Sequence, residues 1–547
     1  MKLNNTLANL CVSSAEKYKD RPALAMLSGG KICRSVTYSE MGKRARQIGS
    51  CLKQLGVETG GRVLLLSENS PEWAIAYFGI ASAGAVSVPL LTGFSSEQIQ
   101  NIACHAGISA ICLSRAMADK FENEETPGAF FKIPFIYIDS MTAGKNSCTE
   151  IQVSVNGQER RMQISHNDNS QTVSCGDDLA AVIYTSGTLG NSKGVMLSHK
   201  NLLSSAYASL SFQKVRSRDK LLSVLPLAHS YECSIGLIVP VLCGASVTYI
   251  DKPPSPSVLL PALKTIRPTM MITVPILIEK IYNNTIAPKL RASKLYKSGF
   301  TRPIAEWFAG RKLHSALGGR MRFFGIGGAP LSQEAENFLA RARFPYSIGY
   351  GLTEAAPLVA GNAPCRFGIL RGAKAPKSVT IRIVKCPISG EQGIGEIQVR
   401  GPNVMMGYYN DAEKTAEAIT SDGWLRTGDL GCIDKKGRLH IRGRLKALIL
   451  GPSGENIYPE EIEGLLGSSS LVEDVLVYSG EKGELVALVS LSEAAKAVTG
   501  AIEHVLEDLR KWTNKKLAAF SKLSRIEIKR EPFEKTPTMK IKRYLYV

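Results

Sequence analysis

Apolar residues between positions 37 and 140 repeat with two periods, one typical of helices and the other of buried strands. The segment 38–55 carries apolar residues at helical spacing. Two short runs that are almost wholly apolar, Arg62–Leu66 and Ile108–Leu113, are typical of strands. Strands separated by helices of this length indicate a parallel sheet with helices packed on its faces. The pattern therefore predicts an α/β fold.

The longest apolar run, residues 74–91, contains Gly79, Gly84 and Pro89. A membrane-spanning helix needs about 20 consecutive apolar residues, so these interruptions argue against a span. We interpret the run as a buried helix that ends near Gly84, followed by a short strand. A polar stretch at 140–177 interrupts the pattern and predicts a surface excursion or a hairpin.

The sequence changes in texture after a second βα region, which ends near residue 344. From 374 onward, short alternating strands predict a small β-rich subdomain. The next boundary lies within 442–450, and a module of roughly one hundred residues follows it. We therefore predict two domains, 1–443 and 444–547, with the β-rich subdomain at about 374–443 inside the first.

Composition is that of a globular protein, with 547 residues, 44% hydrophobic and 21% charged. This length predicts three or four compact units. The twelve cysteines include no Cys-x-x-Cys pair, so neither a disulfide framework nor a zinc site is indicated. The first eleven residues lack a sustained apolar core and do not predict a secretory signal. These features favour a reduced, cytoplasmic setting.

Basic residues exceed acidic ones, 67 to 48, which gives a net charge of +19. Such a charge raises affinity for nucleotides, coenzyme A, anionic lipid or nucleic acid without choosing among them. The segment 289–322 concentrates it, with nine basic residues and one acid, Glu306, between aromatic and aliphatic side chains. This pattern is typical of a membrane-surface helix pair, and equally of a solvated helical face with inward aromatics. Peripheral binding to the anionic inner face of a membrane thus stays an open alternative.

A loop rich in glycines and hydroxyl residues occupies positions 184–195, Tyr-Thr-Ser-Gly-Thr-Leu-Gly-Asn-Ser-Lys-Gly-Val. Glycines expose backbone N–H groups, and Lys193 adds a positive charge, which together suit a polyphosphate. Three hydroxyl donors complete the set: Thr185, Ser186 and Thr188. The spacing around the lysine excludes a Walker-type P-loop, and the residues after it predict a second strand instead of a helix.

The loop resembles the signature of the adenylate-forming superfamily, which joins acyl-CoA synthetases, adenylation domains and luciferases. Further motifs that resemble those of the superfamily follow in its order. They are Leu-Pro-Leu-Ala-His-Ser-Tyr-Glu (225–232), Gly-Gly-Ala-Pro-Leu (327–331), Gly-Tyr-Gly-Leu-Thr-Glu (349–354), Gly-Trp-Leu-Arg-Thr-Gly-Asp-Leu-Gly (423–431), Gly-Arg-Leu-Lys (443–446), Ser-Gly-Glu-Asn-Ile-Tyr-Pro-Glu-Glu-Ile-Glu (453–463) and Thr-Met-Lys-Ile-Lys-Arg (538–543). The Leu-Pro-Leu-Ala-His stretch is most similar to long-chain fatty acyl-CoA synthetases.

The resemblance implies a large N-terminal domain of parallel-type sheets with packed helices, and a small mobile C-terminal α+β domain. It also implies a reaction in two steps. A carboxylate and ATP first give an acyl adenylate and pyrophosphate, and coenzyme A then gives a thioester and AMP. The implied ligands are a fatty acid, ATP, Mg²⁺ and coenzyme A, with no nucleic acid and no obligate protein partner.

Adenylation depends on positioning and charge neutralisation, so cations and N–H donors matter more than a general base. By the resemblance, Thr353 reaches the α-phosphate and Glu354 helps to hold Mg²⁺ through its carboxylate. The resemblance also implies that Tyr350 stacks on adenine, although a tyrosine at such a position can also be an ordinary core residue. The other residues that the resemblance implies at the β- and γ-phosphates or the adenine are Thr185, Ser186, Gly187, Thr188, Lys193, Gly328, Ala329, Pro330 and Gly351.

Charged residues later in the chain complete the implied nucleotide site. Asp429 would accept hydrogen bonds from both ribose hydroxyls, and Arg444 would pair with phosphate. Lys540 would contact the carboxylate and the α-phosphate during adenylation. Met539 stands where the superfamily has glycine, and methionine does not readily adopt a positive φ. Lys542 is an alternative candidate for this role. The Lys-Ile-x-Arg register matches the superfamily at Lys540, so Lys540 is favoured.

The thioester step needs a different face of the small domain. The resemblance implies a rotation about Lys446, and close approach of the pantetheine arm to the backbone at Gly454. His229 would lie at the acyl pocket, where its rotamer gates access. A lone histidine beside leucine and alanine is also often an ordinary core residue.

Several alternative functions stay open. An acyl-AMP ligase or an acyl–acyl carrier protein synthetase would share all these motifs. An amino-acid-activating enzyme would need an acid for the substrate ammonium near Tyr231, where Glu232 stands instead. A catalytically silent lipid-binding relative is disfavoured by the joint presence of the charged residues named above.

Overall fold

The computed structural model describes residues 5–546 apart from a set of short segments. These segments are 122–129, 131, 144–148, 165–173, 186–192, 299, 365–371, 386–392, 451–455, 470, 481–482, 493–494, 496–501 and 537–539. Within the part of the chain that is described, no helix combines the length and the apolar character needed to cross a bilayer.

Sheet A contains eight strands among the described residues, and its inner strands run parallel. Its edge strands run antiparallel to their neighbours. In order across the sheet, the strands are Leu358–Gly361, Tyr346–Gly351, Phe323–Ile326, Met270–Thr273, Lys220–Leu222, Ser246–Ile250, Pro22–Ser28 and Lys31–Thr37. Ligands of such sheets bind beyond the carboxyl ends of the parallel strands.

Sheet B contains nine strands in the described ranges, with a parallel centre and antiparallel edges. In order, they are Gly407–Tyr408, Lys193–Ser198, Leu179–Thr185, Val86–Pro89, Arg62–Leu66, Ile108–Leu113, Phe135–Ala143, Thr149–Val155 and Gln158–Ile164. The last two form a hairpin within the polar stretch, turned by Asn156 and Gly157, both at positive φ. The chain after the phosphate loop is a strand, as the sequence predicted.

Helices pack on both sheets. Thr37 and Glu40 form a capping box at the start of Tyr38–Gln54. This helix packs closely against Pro71–Ser82. The absence of a side chain at Gly79 allows the approach, since a Cβ there would overlap Ile48. The other α-helices of the described chain are Leu7–Tyr18, Ser96–Ala106, His199–Ser209, Val239–Cys243, Pro256–Ile266, Pro275–Ile281, Ala287–Ala292, Lys294–Lys297, Arg302–Ala316, Gln333–Arg341, Ala412–Ala418, Pro459–Gly467 and Ile502–Asn514.

Short helices of other types occur at several junctions. They are the 3₁₀ turns Arg115–Phe121, Thr353–Ala355, Leu445–Ala447, Ala519–Ser521 and Arg543–Leu545, and the π-helices Glu232–Ile238 and Tyr282–Ile286. The helix Pro71–Ser82 is buried throughout 73–81, so the long apolar run serves the core between the sheets.

The β-rich part of the chain is an antiparallel sheet of Thr380–Lys385, Gly395–Arg400, Leu425–Ile433 and Leu439–Arg444. After a short ladder of Ile449–Leu450 with Asn456–Ile457, a separate sheet follows. Its strands are Val472–Ser479, Leu485–Leu491 and Arg525–Ile528. These layers confirm the predicted fold class. The exact domain boundaries stay predictions.

Candidate active site

A carboxylate, a phenol and a guanidinium meet where the β-rich sheet faces sheet A. Strands Leu425–Ile433 and Leu439–Arg444 pair with Asp429 directly opposite Arg444. Tyr350 donates its hydroxyl to Asp429 Oδ2 at 2.6 Å, and Arg444 Nε lies 3.5 Å from Oδ1. Burial raises the pKa of Asp429, while the Arg444 charge and the Tyr350 hydrogen bond oppose that rise. A carboxylate accepts several hydrogen bonds, so this group suits a pair of vicinal hydroxyls.

The wall beside Tyr350 is the turn after strand Phe323–Ile326. Gly328 takes a φ of +86°, and a Cβ at Gly327 would approach both the Tyr231 ring and a backbone carbonyl within 3.4 Å. The predicted Gly328, Ala329 and Pro330 are all exposed at this turn. The turn therefore offers open backbone beside the Tyr350 ring, as a planar base requires.

Thr353 begins the 3₁₀ turn Thr353–Ala355, which follows strand Tyr346–Gly351. Its hydroxyl lies 3.3 Å from that of Ser230. Gly351 is needed for close packing, because a Cβ there would overlap the carbonyl of Pro357. The turn thus holds the Thr353 hydroxyl against the segment that carries His229.

Tyr408 links Glu354 to Lys193, and the sequence analysis did not predict it. Its hydroxyl donates to Glu354 Oε1 at 3.0 Å, and Lys193 Nζ lies 4.9 Å from the centre of its ring. Burial, with the nearby Glu354 carboxylate, raises the pKa of Tyr408, so the phenol keeps its proton. The only available signal was a glycine before two tyrosines, which by itself indicates little more than a turn or a strand edge.

The phosphate loop is anchored at both ends by antiparallel strands. Thr185 and Lys193 are paired across Leu179–Thr185 and Lys193–Ser198. Gly407–Tyr408 adds to the same edge, with Tyr408 opposite Val195. Three predicted residues, Ser186, Gly187 and Thr188, lie outside the described residues.

His229 directly precedes Ser230, which contacts Thr353, and it lies near Lys540 of the C-terminal region. Its Nδ1 accepts a hydrogen bond from the backbone N–H of Tyr231 at 3.2 Å. Burial, with a smaller contribution from the Lys540 charge, lowers the pKa of His229 to about 4. The imidazole is therefore neutral at physiological pH, with its proton on Nε2.

Lys540 projects into the same cleft from the small domain. Its side chain is exposed to solvent in part, but surrounding protein groups reduce the hydration of its ammonium group. Burial is the main cause that lowers its pKa, and the Arg444 charge adds to it. Three carboxylates oppose this effect, those of Asp429, Glu460 and Glu354. The lysine thus stands among the groups predicted to hold ribose, phosphate and Mg²⁺.

Lys542 points elsewhere. Its ammonium donates to Glu534 at 3.1 Å, while the backbone of Lys540 exchanges hydrogen bonds with Thr536. The two ammonium groups therefore have different surroundings, and Lys540 is the one near Asp429. Met539 lies outside the described residues.

Of the two residues predicted for the thioester step, one lies apart from this cluster and the other lies outside the described residues. Lys446 lies in the turn Leu445–Ala447, directly after Arg444, and is exposed. Gly454 lies outside the described residues. On the small domain, Tyr458 packs within 3.3 Å of a Cβ position at Gly443. Burial also raises the pKa of the nearby Glu460.

Glu354 fits the metal that the resemblance implies. Mg²⁺ is usually bound through one or two carboxylates together with substrate phosphates. The Glu354 carboxylate is half-buried near Thr353, and Tyr408 bonds only its Oε1 among the described contacts. The other oxygen is thus available for a cation.

Two family models match the chain. The model of AMP-binding enzymes matches residues 11–409, and that of the AMP-binding enzyme C-terminal domain matches 447–546. The chain belongs to the AMP-binding enzyme family. The superfamily identified from the motifs is thereby confirmed. Residues 410–446, which carry Asp429 and Arg444, connect the two matches.

Relatives of this AMP-binding enzyme act on different acids. It is 30% identical to the long-chain-fatty-acid–CoA ligase heimdall of Drosophila melanogaster, over 93% of the chain and 79% of that protein. It is 28% identical to the long-chain-fatty-acid–[acyl-carrier-protein] ligase AEE15 of Arabidopsis thaliana, over 98% and 84%. The fold matches O-succinylbenzoate–CoA synthetase of Bacillus subtilis with bound ATP and magnesium, at TM-score 0.74, 23% identity and 98% coverage of each chain.

Proposed function

We propose that this AMP-binding enzyme is an ATP-dependent fatty acyl-CoA synthetase that acts on a medium-to-long fatty acid. The observation that supports the proposal most strongly is the convergence of Lys540 with Asp429 and Glu354. These groups come from three separate parts of the chain, and the fold brings them to one cleft. Each has a role in adenylation, and only adenylation needs all of them together.

In the first step, a carboxylate oxygen of the fatty acid attacks the α-phosphorus of ATP, and pyrophosphate leaves. Lys193 and the loop before it neutralise the β- and γ-phosphates, and Asp429 orients the ribose. Lys540 stabilises the charge that develops on the α-phosphate oxygens. Glu354 would hold Mg²⁺, which supplies further positive charge at the phosphates.

In the second step, the thiolate of coenzyme A attacks the acyl carbonyl, and AMP leaves. Because His229 is neutral, it adds no positive charge to the acyl pocket. The small domain would rotate about Lys446 and withdraw Lys540, so that Gly454 and its neighbours line the pantetheine path. Location in the cytoplasm stays a prediction alongside this proposal.

Amino-acid activation has less support. Glu232, the acid nearest the position expected for an ammonium-binding carboxylate, is wholly buried and accepts a hydrogen bond from Ser223 at 2.6 Å. Burial raises the pKa of Glu232 to about 8, so the group is neutral at pH 7. A neutral, enclosed carboxyl does not suit a substrate ammonium.

The proposal is tested by measuring pyrophosphate release over a panel of fatty, aromatic and amino acids, with coenzyme A, with acyl carrier protein, and with neither. We expect release with medium-to-long fatty acids and full turnover to AMP with coenzyme A. Turnover only with the carrier protein would assign the alternative acceptor. ADP in place of AMP, or inactivity with every fatty acid, would refute the proposal.

A further inference from the structure

The helical connection between the sheet A strands Met270–Thr273 and Phe323–Ile326 presents an unusual outer surface. Its longest helix, Arg302–Ala316, packs through Ala305, Glu306, Gly310 and Leu313, which are buried. A Cβ at Gly310 would overlap the backbone and side chain of Ala342. The inner face is therefore fixed tightly, and the opposite face of the helix is turned to solvent.

Four large apolar side chains stand on that outer side. Ile304 and Phe308, one helical turn apart, are 50% and 52% exposed. In the residues just before the helix, Leu295 is 50% exposed and Phe300 is 93% exposed. Single exposed hydrophobic residues are common, but such a group close together marks a surface that binds something.

Basic residues surround these apolar side chains. Arg311 and Lys312 share the outer face of the helix with Ile304 and Phe308, and Lys294 and Lys297 flank Leu295. We call these eight residues the basic–aromatic patch: Lys294, Leu295, Lys297, Phe300, Ile304, Phe308, Arg311 and Lys312. All eight are exposed.

Carboxylates do not neutralise the patch. The one acid of the segment 289–322, Glu306, faces inward and pairs with Arg302 and with Arg341 at 2.8 Å. Among the residues that the structure describes, no ion pair joins a carboxylate to any of the four basic residues of the patch. Arg311 lies instead over the ring of Trp307, at 5.1 Å from its centre. The outward charge is therefore uniformly positive.

We propose that the basic–aromatic patch docks on an anionic phospholipid surface. Ammonium and guanidinium groups at the rim attract lipid phosphates, and the apolar tips between them enter the acyl boundary. A nucleic acid would use the charges and could stack bases on the phenylalanines, but it would leave the aliphatic Leu295 and Ile304 in water. Docking does not depend on the proposed function. If that function holds, docking would also bring the enzyme to the phase where fatty acids partition.

Co-sedimentation of the full chain with vesicles tests the proposal, without ATP or fatty acid. One set of vesicles mixes phosphatidylcholine with phosphatidylglycerol, and the other contains phosphatidylcholine alone. We expect binding to the anionic set that weakens as salt is added, because screening shortens the reach of the charges. Equal binding to both sets, or none to the anionic set at low salt, would overturn it.

Two variants separate charge from apolar insertion. Because each basic residue near the surface contributes about fivefold to binding, Lys294→Gln/Lys297→Gln/Arg311→Gln/Lys312→Gln should reduce it at least a hundredfold. Phe300→Ser/Phe308→Ser should weaken binding while leaving its salt dependence unchanged. Wild-type binding by either variant would contradict the proposal.

A matched control changes equally exposed residues elsewhere. The control variant is Ile433→Ser/Lys435→Gln/Lys436→Gln, whose three positions are exposed at one end of the β-rich sheet. This variant should bind vesicles like wild type. Thermal unfolding midpoints of all variants should match, because every changed side chain is exposed. A single-stranded oligonucleotide serves as competitor. If wild type binds the oligonucleotide more tightly than the anionic vesicles and is displaced from them by it, the patch is assigned to nucleic acid and the proposal is overturned.

Discussion

Replacing Glu232 with glutamine should stabilise the protein at neutral pH and leave its stability in acid almost unchanged. Glu232 opens the π-helix Glu232–Ile238 with its carboxyl fully buried. A side chain at Gly236 would overlap that carboxyl, so the glycine leaves space for it. Ser223 donates to Oε1 at 2.6 Å, and the backbone N–H of Leu225 also donates to the carboxyl. Glutamine keeps the shape and the acceptor but cannot ionise.

The magnitude follows from the pKa. Burial raises the pKa of Glu232 from 4.5 to about 8, so between these values the folded state holds a proton that the unfolded state has lost. The free energy of unfolding therefore falls as pH rises through this window, by about 1.4 kcal/mol per pH unit. The loss reaches roughly 3 kcal/mol at pH 7 and about 5 kcal/mol above pH 8.

Calorimetric unfolding midpoints across this pH range provide the assay. For a unit of roughly 400 residues, the unfolding entropy of about 0.8 kcal/mol per kelvin turns 3 kcal/mol into about 4 °C. The midpoint of Glu232→Gln should exceed that of wild type by this amount at neutral pH, with the gap closing toward pH 5. The exposed Glu58→Gln is the control and should show no such trend. A constant gap, or destabilisation at neutral pH, would refute the reasoning.

Two further predictions concern the reaction. Lys540→Ala should slow adenylation by about 3 kcal/mol, more than a hundredfold, and largely spare thioester formation from supplied acyl adenylate. Lys542→Ala is its control, and equal loss in both half-reactions would count against the assigned role. Tyr408→Phe removes the donor to Glu354 and should raise the Mg²⁺ concentration needed for half-maximal adenylation about tenfold. Tyr409→Phe serves as its neighbour control, and an unchanged Mg²⁺ requirement for Tyr408→Phe would show that the hydrogen bond does not orient the carboxylate.

The sheets were predictable because their strands carry a strong local signal. Arg62–Leu66 and Ile108–Leu113 are buried strands within the bounds that their apolar runs predict. The strand after the phosphate loop was predicted for the same reason. Gly407–Tyr408 was not, because two residues show no periodicity. Its place at the edge of sheet B is set by hydrogen bonds to a distant segment.

The arrangement of the site depended on long-range pairing that no local pattern reveals. Motifs singled out Asp429 and Arg444 separately, but a register irregularity between Leu430 and Gly431 decides that they stand opposite each other. The choice between Lys540 and Lys542 likewise depends on contacts made in the fold, where Lys542 pairs with Glu534 and Lys540 faces Asp429. The sequence was thus enough to predict which residues form the site, whereas the contacts between these residues could be identified only from the folded structure.

The pairing of Asp429 with Arg444 has a consequence for how the enzyme senses its ligands. The chain leaves the β-rich sheet at Leu445–Ala447, directly after Arg444, and the C-terminal domain follows. If Asp429 holds the nucleotide and the C-terminal domain rotates, as proposed, the nucleotide contacts the residue pair that directly precedes the point of rotation. Orientation and nucleotide affinity are then thermodynamically coupled, and the coupling is reciprocal. Whatever orientation ATP favours, that orientation must bind ATP more tightly by the same factor.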